Sequence, residues 1–354
     1  MKDFKQTRNR LLCQLLILLG FIVLLNMVNR PYGQLYAATI FPALQRIRCF
    51  VLTSLSFSVG DICYCLGVLY ILFNAYSFLK HKGWKDKWQW LIAVLQISRL
   101  ALVVSIMLYL SWSALYVQPK LPEKMQLPAA TSITNEALLY FDSVLIQRLN
   151  SLAPQLDSLN FSKVNSKAAK EYLDLNLPFT LHAKSSLFGE TLAYFGVSGY
   201  FNPFSGEAQI DPTTPYFMMP FLVCHEMAHQ AGIAAEDDAN LMAYMQCVES
   251  ASPSFRYAGY FNIWLYAHHN VFRLDSVKAQ GLKASLNPVS LNHIDILKQR
   301  NQRYRNFLND WSTYIFDQFL KMGNQTDGVG SYRNVAYSAL LWEQSRIPAN
   351  RVKH

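Results

Sequence analysis

Apolar residues gather in three long runs near the start of the chain, and beyond residue 117 they thin into stripes. The runs are LLCQLLILLGFIVLLNMV (11–28), FSVGDICYCLGVLYILFNAYSFL (57–79) and WLIAVLQISRLALVVSIMLYLSW (90–112). Each approaches the ~20 residues that cross ~30 Å of hydrocarbon at ~1.5 Å per residue, so three membrane spans are expected. Residues 117–132, with three prolines and mixed polarity, read as a linker. Helical periodicity follows over 135–153 and near 163–175. The aromatics, Gly, Asn and Pro of SGYFNPFSGEAQID (198–211) read as short strands joined by turns. Helix is expected through most of 218–280, again as one amphipathic helix from about 290 to 322, and after a turn-rich loop at 323–332. No internal repeat or low-complexity tract interrupts this order. The pattern divides the chain into a membrane region, 1–117, and a mainly α, α+β domain, 118–354.

Charge sets an orientation. Lys2, Lys5, Arg8 and Arg10 precede the first run, and four lysines lie between Lys80 and Lys87, whereas residues 29–56 hold three arginines. The positive-inside rule then puts the two lysine-rich ends in the cytoplasm and leaves 29–56 as an outer loop. Three spans carry the domain to the extracytoplasmic side. The first run also has the basic start of a signal peptide, but its apolar stretch is long and no small-x-small cleavage site follows closely, so it reads as a retained anchor. Residues 1–117 carry 12 Lys/Arg against 3 Asp, which is the whole formal excess of +9, while 118–354 carry 20 of each sign. The basic balance thus belongs to the membrane region and points to a lipid bilayer as partner, not to nucleic acid. Asp61 and Arg99 lie inside the spans; Asp61 is expected at the outer interface, with Arg99 snorkelling or pairing with it. The six cysteines match no Cys-based zinc or haem spacing. Cys224 and Cys247 read as buried thiols or as a disulfide.

The chemistry concentrates in PFLVCHEMAHQAGIAAEDDANLMAY (220–244). On a helix, residues four apart share a face, so His225 and His229 can offer imidazole nitrogens to one Zn2+ ion. Glu226 stands where the HExxH pattern places a general base aimed at metal-bound water. Gly232 can end the helix and turn the chain. A third ligand is then expected from Glu236 at the start of a second helix, with Asp237 the alternative and Asn240 orienting a ligand from behind. The acids Glu236, Asp237 and Asp238 would also suit a helix N-terminus for the dipole alone.

HEMAH followed by EDDAN resembles the arrangement of gluzincin metallopeptidases. FSVGDICY, GYFNPFSGEAQID, CHEMAHQAGIAAEDDAN and RYAGY further resemble, in order, the motifs of an uncharacterised family of bacterial membrane proteins with a zincin-like C-terminal domain. That likeness implies a zincin-like fold behind membrane helices in the bacterial inner membrane; it supplies no substrate. At 112–118, WSALYVQ departs from the family's WGxNYxR, which puts any role of that segment in doubt. A metzincin would need His at position 235, which is Ala235. A site-2-type intramembrane protease would bury the motif in a full span, and FMMPFLVC is too short.

Supporting roles follow from the same comparison. The stretch Gly206, Glu207, Ala208 and Gln209 is the expected edge strand along which a peptide or protein substrate pairs. Tyr257 of RYAGY is the expected oxyanion donor, ahead of Arg256, Tyr260, His268 and His269. His81, His182, His293 and His354 lack partners at ligand spacing and read as core or surface residues. Trp264, Tyr266 and Trp311 read as packing faces. Asn160 and Asn324 head glycosylation triplets. Three functions compete: a membrane-anchored zinc metallopeptidase, a zinc-stabilised binding or scaffold module, and a transporter or sensor built on Asp61 and Arg99.

Overall fold

The structure is a computed structural model describing residues 2–130, 133–157, 159–322 and 332–346. The Asn324 triplet and His354 lie outside the described residues. The three apolar runs are the helices α1 (Lys2–Met27), α4 (Val59–Lys80) and α5 (Lys87–Ser111). Ser58 caps α4 by accepting from the Asp61 N–H, and Asp86 caps α5 by accepting from the Trp88 N–H. Helices α1 and α5 run side by side in the same direction. Phe4 meets Trp88 at one end, Arg99 donates to Gln14 midway, and Tyr109 donates to Asn29 at the other end.

Residues 29–52, expected as an outer loop, are helical: α2 (Asn29–Leu35), one π turn, and α3 (Phe41–Leu52). They form a fourth stretch long and apolar enough to cross a membrane. Their contacts nevertheless run from the segment just after α5 onto the C-terminal region. A β-carbon on Gly33 would strike Val117, Phe41 packs under Gly232, Gln45 donates to the Gly206 carbonyl, and the Leu52 carbonyl accepts from Lys184. The expected loop therefore folds as a helix because one of its faces is covered by the rest of the chain.

The expected pairing of Asp61 with Arg99 is absent. Asp61 is fully buried and accepts from Ser186 Oγ, the Leu187 N–H and the Tyr200 hydroxyl. Beside it, buried Lys184 bonds Glu207 and the Leu52 and Phe57 carbonyls, while Glu207 also accepts from the Val59 and Gly60 N–H groups. The orphan N–H groups of the α4 start are thus satisfied by a carboxylate from the C-terminal region, which fastens helix to sheet.

That region is mostly helical. In chain order come α6 (Leu121–Lys124), α7 (Asn135–Leu152), α8 (Phe161–Glu171), β1 (Ala183–Ser185), α9 (Thr191–Tyr194), β2 (Gly199–Asn202), β3 (Glu207–Ile210), α10 (Met219–Gln230), α11 (Glu236–Glu249), α12 (Pro253–Leu274), α13 (Ser276–Ala284), α14 (Pro288–Tyr304), α15 (Phe307–Met322) and α16 (Tyr332–Ser345). The single helix expected over 290–322 is two, because Asn306 accepts from the Leu308 and Asn309 N–H groups and starts α15 afresh. Cys224 and Cys247 are free, buried thiols.

Three short strands form one sheet in the order β1-β3-β2. β1 pairs parallel with β3 and β2 pairs antiparallel, with Gly199 opposite Ile210. The segment expected at the edge, Glu207 to Gln209, is therefore the middle strand, buried throughout and paired on both sides. It has no free edge for a substrate; β2 has. Helix α10 lies beneath the sheet within a core shared by α7, α11, α12 and α16, where Val223, Met227, Leu241, Phe261 and Trp264 are buried. Trp311, expected as a packing face, is largely exposed.

Candidate metal centre

Helix α10 begins at Met219 and Pro220 and is buried along almost its whole length, which explains its continuous apolar approach. It ends in a Schellman turn: the Gly232 N–H bonds the His229 carbonyl and the Ile233 N–H bonds the Ala228 carbonyl. Gly232 has φ +99°, and a β-carbon there would stand 2.9 Å from Phe41. Both constraints demand glycine. After this turn the chain re-enters helix at Glu236, whose carboxylate comes back over the face that carries the two histidines.

Three side chains converge closely enough that they could hold a metal ion. His225 Nε2 lies 3.3 Å from Glu236 Oε2, and His229 Nε2 lies 3.5 Å from Glu236 Oε1. Ligand atoms at ~2.0–2.1 Å from a tetrahedral zinc stand about 3.4 Å apart, so His225, His229 and Glu236 fit that ion. Among the described residues, this is the group of His, Cys, Asp or Glu atoms gathered closely enough to hold a metal. His229 Nδ1 faces the Ile233 carbonyl at 2.7 Å. An N–H donated there fixes the tautomer and aims Nε2 at the centre.

The neighbouring acids separate cleanly. Asp237, the alternative ligand, pairs with Lys120 at 2.7 Å. Asp238 is pushed up to about 7 by burial and by Asp237 beside it. Asn240 donates to the Glu236 backbone carbonyl at 2.9 Å, so it steadies the helix turn that carries Glu236 and not the carboxylate itself.

Glu226 is buried, with Oε2 lacking a hydrogen-bond partner. Burial pushes its carboxyl up to about 7; the two histidines pull down, and Glu236 adds to the rise. Burial also opposes charge on His229, yet Glu236 raises it to about 9. Against its own burial, Glu236 is held well below the usual carboxylate range by those histidines. The carboxylate of Glu236 and the two imidazoles thus bias one another's protonation across a shared space.

Three aromatic groups complete the surroundings, and none is legible in the motif. Trp112, the residue after α5, sets its indole edge-on to the His229 ring, centroids 5.8 Å apart at 79°, and packs on Phe201 of β2 at 4.5 Å. Tyr116, whose oxygen accepts from Trp112, is raised above its ordinary value by burial and by Glu236. Tyr266 is pushed up to about 12 by the same two causes. Both phenols therefore lie within electrostatic reach of Glu236 and stay protonated. Trp112 and Tyr116 belong to WSALYVQ, the segment that departs from the expected motif yet keeps both aromatic positions.

The expected supporting residues are engaged elsewhere. Tyr257 is fully buried, with its hydroxyl shared between Ser290 and His293 and its ring stacked on Phe261. The structure thus does not bring it to the triad. Tyr260 lies under Arg148, His268 bonds Asp142, and His269 is exposed. Arg256 stands near Tyr260. His182 bonds Asn165, and His293 is a core residue between Tyr216 and Tyr257.

The profile of the family described as "Protein of unknown function (DUF3810)" matches residues 36–338. Comparison with curated proteins and with solved structures gave no match.

Proposed function

The chain belongs to the DUF3810 family of proteins of unknown function, and we propose that this member is a membrane-anchored, zinc-dependent peptide hydrolase with a zincin-like C-terminal domain. The observation that carries the reading is the convergence of His225, His229 and Glu236 at 3.3 and 3.5 Å, with Glu226 beside them. Lys120 engages Asp237, which leaves three protein ligands. Three ligands with a fourth position open are the pattern of catalytic zinc; closed structural sites use four. This favours an enzyme over a zinc-locked scaffold.

Bound there, zinc would supply Lewis acidity toward a carbonyl oxygen and a water. The chain's own residues do the rest. Glu226 offers Oε2 as the base that accepts a proton from the attacking water, then returns it to the departing amine nitrogen. Its burial beside the two histidines places the carboxylate within reach of that exchange. The Ser198 carbonyl bonds the Asp211 N–H, so alternation along β2 turns the Gly199 and Phe201 backbone groups outward, where an extended substrate can pair. Tyr116 and Tyr266 are the candidate donors to the developing oxyanion, in place of Tyr257.

The extracytoplasmic side is the proposed location, in a bacterial inner membrane as the sequence resemblance implies. Lys5, Arg8 and Arg10 stand at the α1 end remote from the C-terminal region, and Lys80, Lys82, Lys85 and Lys87 at the matching turn of α4 and α5. The test is hydrolysis of a peptide library by the zinc-loaded full chain and by Glu226→Gln. We expect equal zinc content and activity in the wild type alone. Equal hydrolysis by both proteins overturns the catalytic assignment.

A further inference from the structure

We propose that the substrate of this centre is the juxtamembrane stretch of a membrane-anchored polypeptide, an inference that rests on the hydrolase reading above. Its basis is where the centre sits relative to the lipid. Trp112 follows Ser111, the last residue of α5, with nothing between them, and its indole touches the His229 ring. The Tyr36 hydroxyl donates to the Ser111 carbonyl, and Phe41 packs against the Gly232 turn. No linker separates span from site.

Aromatic belts mark the depth of the bilayer. At one end of α1 and α5, Phe4 packs on Trp88 and Phe78 on Trp90. At the other, Tyr32 stacks on Tyr36 and on Tyr109, with Trp112 one turn beyond. From Trp90 to Tyr109 the helix rises about 29 Å at ~1.5 Å per residue, close to the ~30 Å hydrocarbon thickness. Trp112 lies about 4–5 Å further along the same axis, within the headgroup layer. The candidate zinc ligand His229 is therefore at headgroup depth.

Helix α3 supports the same placement. Phe41, Gln45 and Cys49 are buried against the C-terminal region, whereas Ile47, Phe50 and Val51 face outward, Phe50 with 87% of its surface exposed. Arg46 is exposed on the same side, and such an amphipathic outer face beside the site is suited to lie in the interface. The accessible edge of the sheet is in the same layer, because Phe201 of β2 packs on Trp112.

A polypeptide leaving the membrane presents its first residues at this depth, and its anchor holds them there. At ~3.3–3.6 Å per extended residue, bonds more than about five residues beyond the lipid lie above the ligands. A free peptide gains nothing from anchoring, and tethering raises effective concentration by factors on the order of 10²–10⁴.

The experiment places the full chain, zinc-loaded, in liposomes with a randomised segment displayed in three ways. One copy is joined directly to a membrane-spanning helix, one sits behind a flexible spacer of about 25 residues, roughly 30 Å in root-mean-square length, and one is free. Expected are cuts mapped by mass spectrometry within about five residues of the anchor, and at least about tenfold faster cleavage of the directly joined segment than of the free one. Equal rates for all three, or cuts spread evenly along the spacer, overturn the proposal and leave the hydrolase reading standing. Cleavage of none of the three overturns the hydrolase reading and this inference with it.

Discussion

Gly199 approaches Glu226 so closely that a β-carbon on it would stand 2.8 Å from Glu226 Oε1 and 3.0 Å from the Gln209 carbonyl. The edge strand and the candidate base are therefore in direct contact, and only glycine permits it. Gly199→Ala must displace the carboxylate, and misplacement of a reacting group by about 1 Å costs on the order of 10²-fold in rate. The expected outcome is a fall of that size in kcat/KM with zinc content unchanged. A variant that keeps full activity shows that Glu226 does not work from this position.

The acids after the turn divide by partner, and their substitutions divide in the same way. Glu236→Gln removes a charged ligand; zinc affinity is expected to drop at least about 100-fold, more than the 10–100-fold seen for outer-shell changes. Asp237→Asn removes only a partly exposed pair with Lys120, worth about 0–1 kcal/mol, and zinc affinity is expected to stay within about threefold. Competition with a chelator of known affinity reads both. The reverse ranking makes Asp237 the ligand.

His293 ties stability to pH. It is buried between Tyr216 and Tyr257 and stacked on Phe217, and burial lowers it to about 4. The folded value lies below the ordinary ~6.5, so the unfolded chain binds more protons in between. The contribution is complete above about 6.5 and is lost as pH falls toward 4, amounting to about 3 kcal/mol at most. Thermal melting of the wild type is expected to fall more steeply from pH 7 to pH 4.5 than that of His293→Gln. Parallel slopes would show that another group carries the dependence.

Much of this was legible in the chain because the signals are local. Apolar runs give α1, α4 and α5 by length alone, and the i, i+4 spacing of His225 and His229 needs only a helix. Gly232 and Glu236 extend that reading through one turn. What escaped depends on contacts distant in sequence. Residues 29–52 hold arginines that read as a loop, yet their buried face exists only when Gly206 and Gly232 come beneath it. Four-residue strands carry too little alternation to reveal which lies at the edge, and only the pairing order puts β3 in the middle. Tyr257 was drawn from a motif without geometry, and Trp112 and Tyr116 lay in a segment whose spacing to the triad exceeds 100 residues. Asp61 read as an intramembrane charge because its partners, Ser186, Leu187 and Tyr200, come from the sheet region.

The most direct test of the proposed catalytic centre is X-ray absorption at the zinc edge of the full-length, zinc-loaded protein, with and without a small hydroxamate. The expected spectrum has two imidazole nitrogens at ~2.0–2.1 Å and oxygen donors at ~2.0–2.2 Å, and the hydroxamate changes the oxygen shell while both imidazoles remain. Sulfur scatterers, or a shell of four protein ligands unaltered by the hydroxamate, would contradict an open catalytic site on His225, His229 and Glu236.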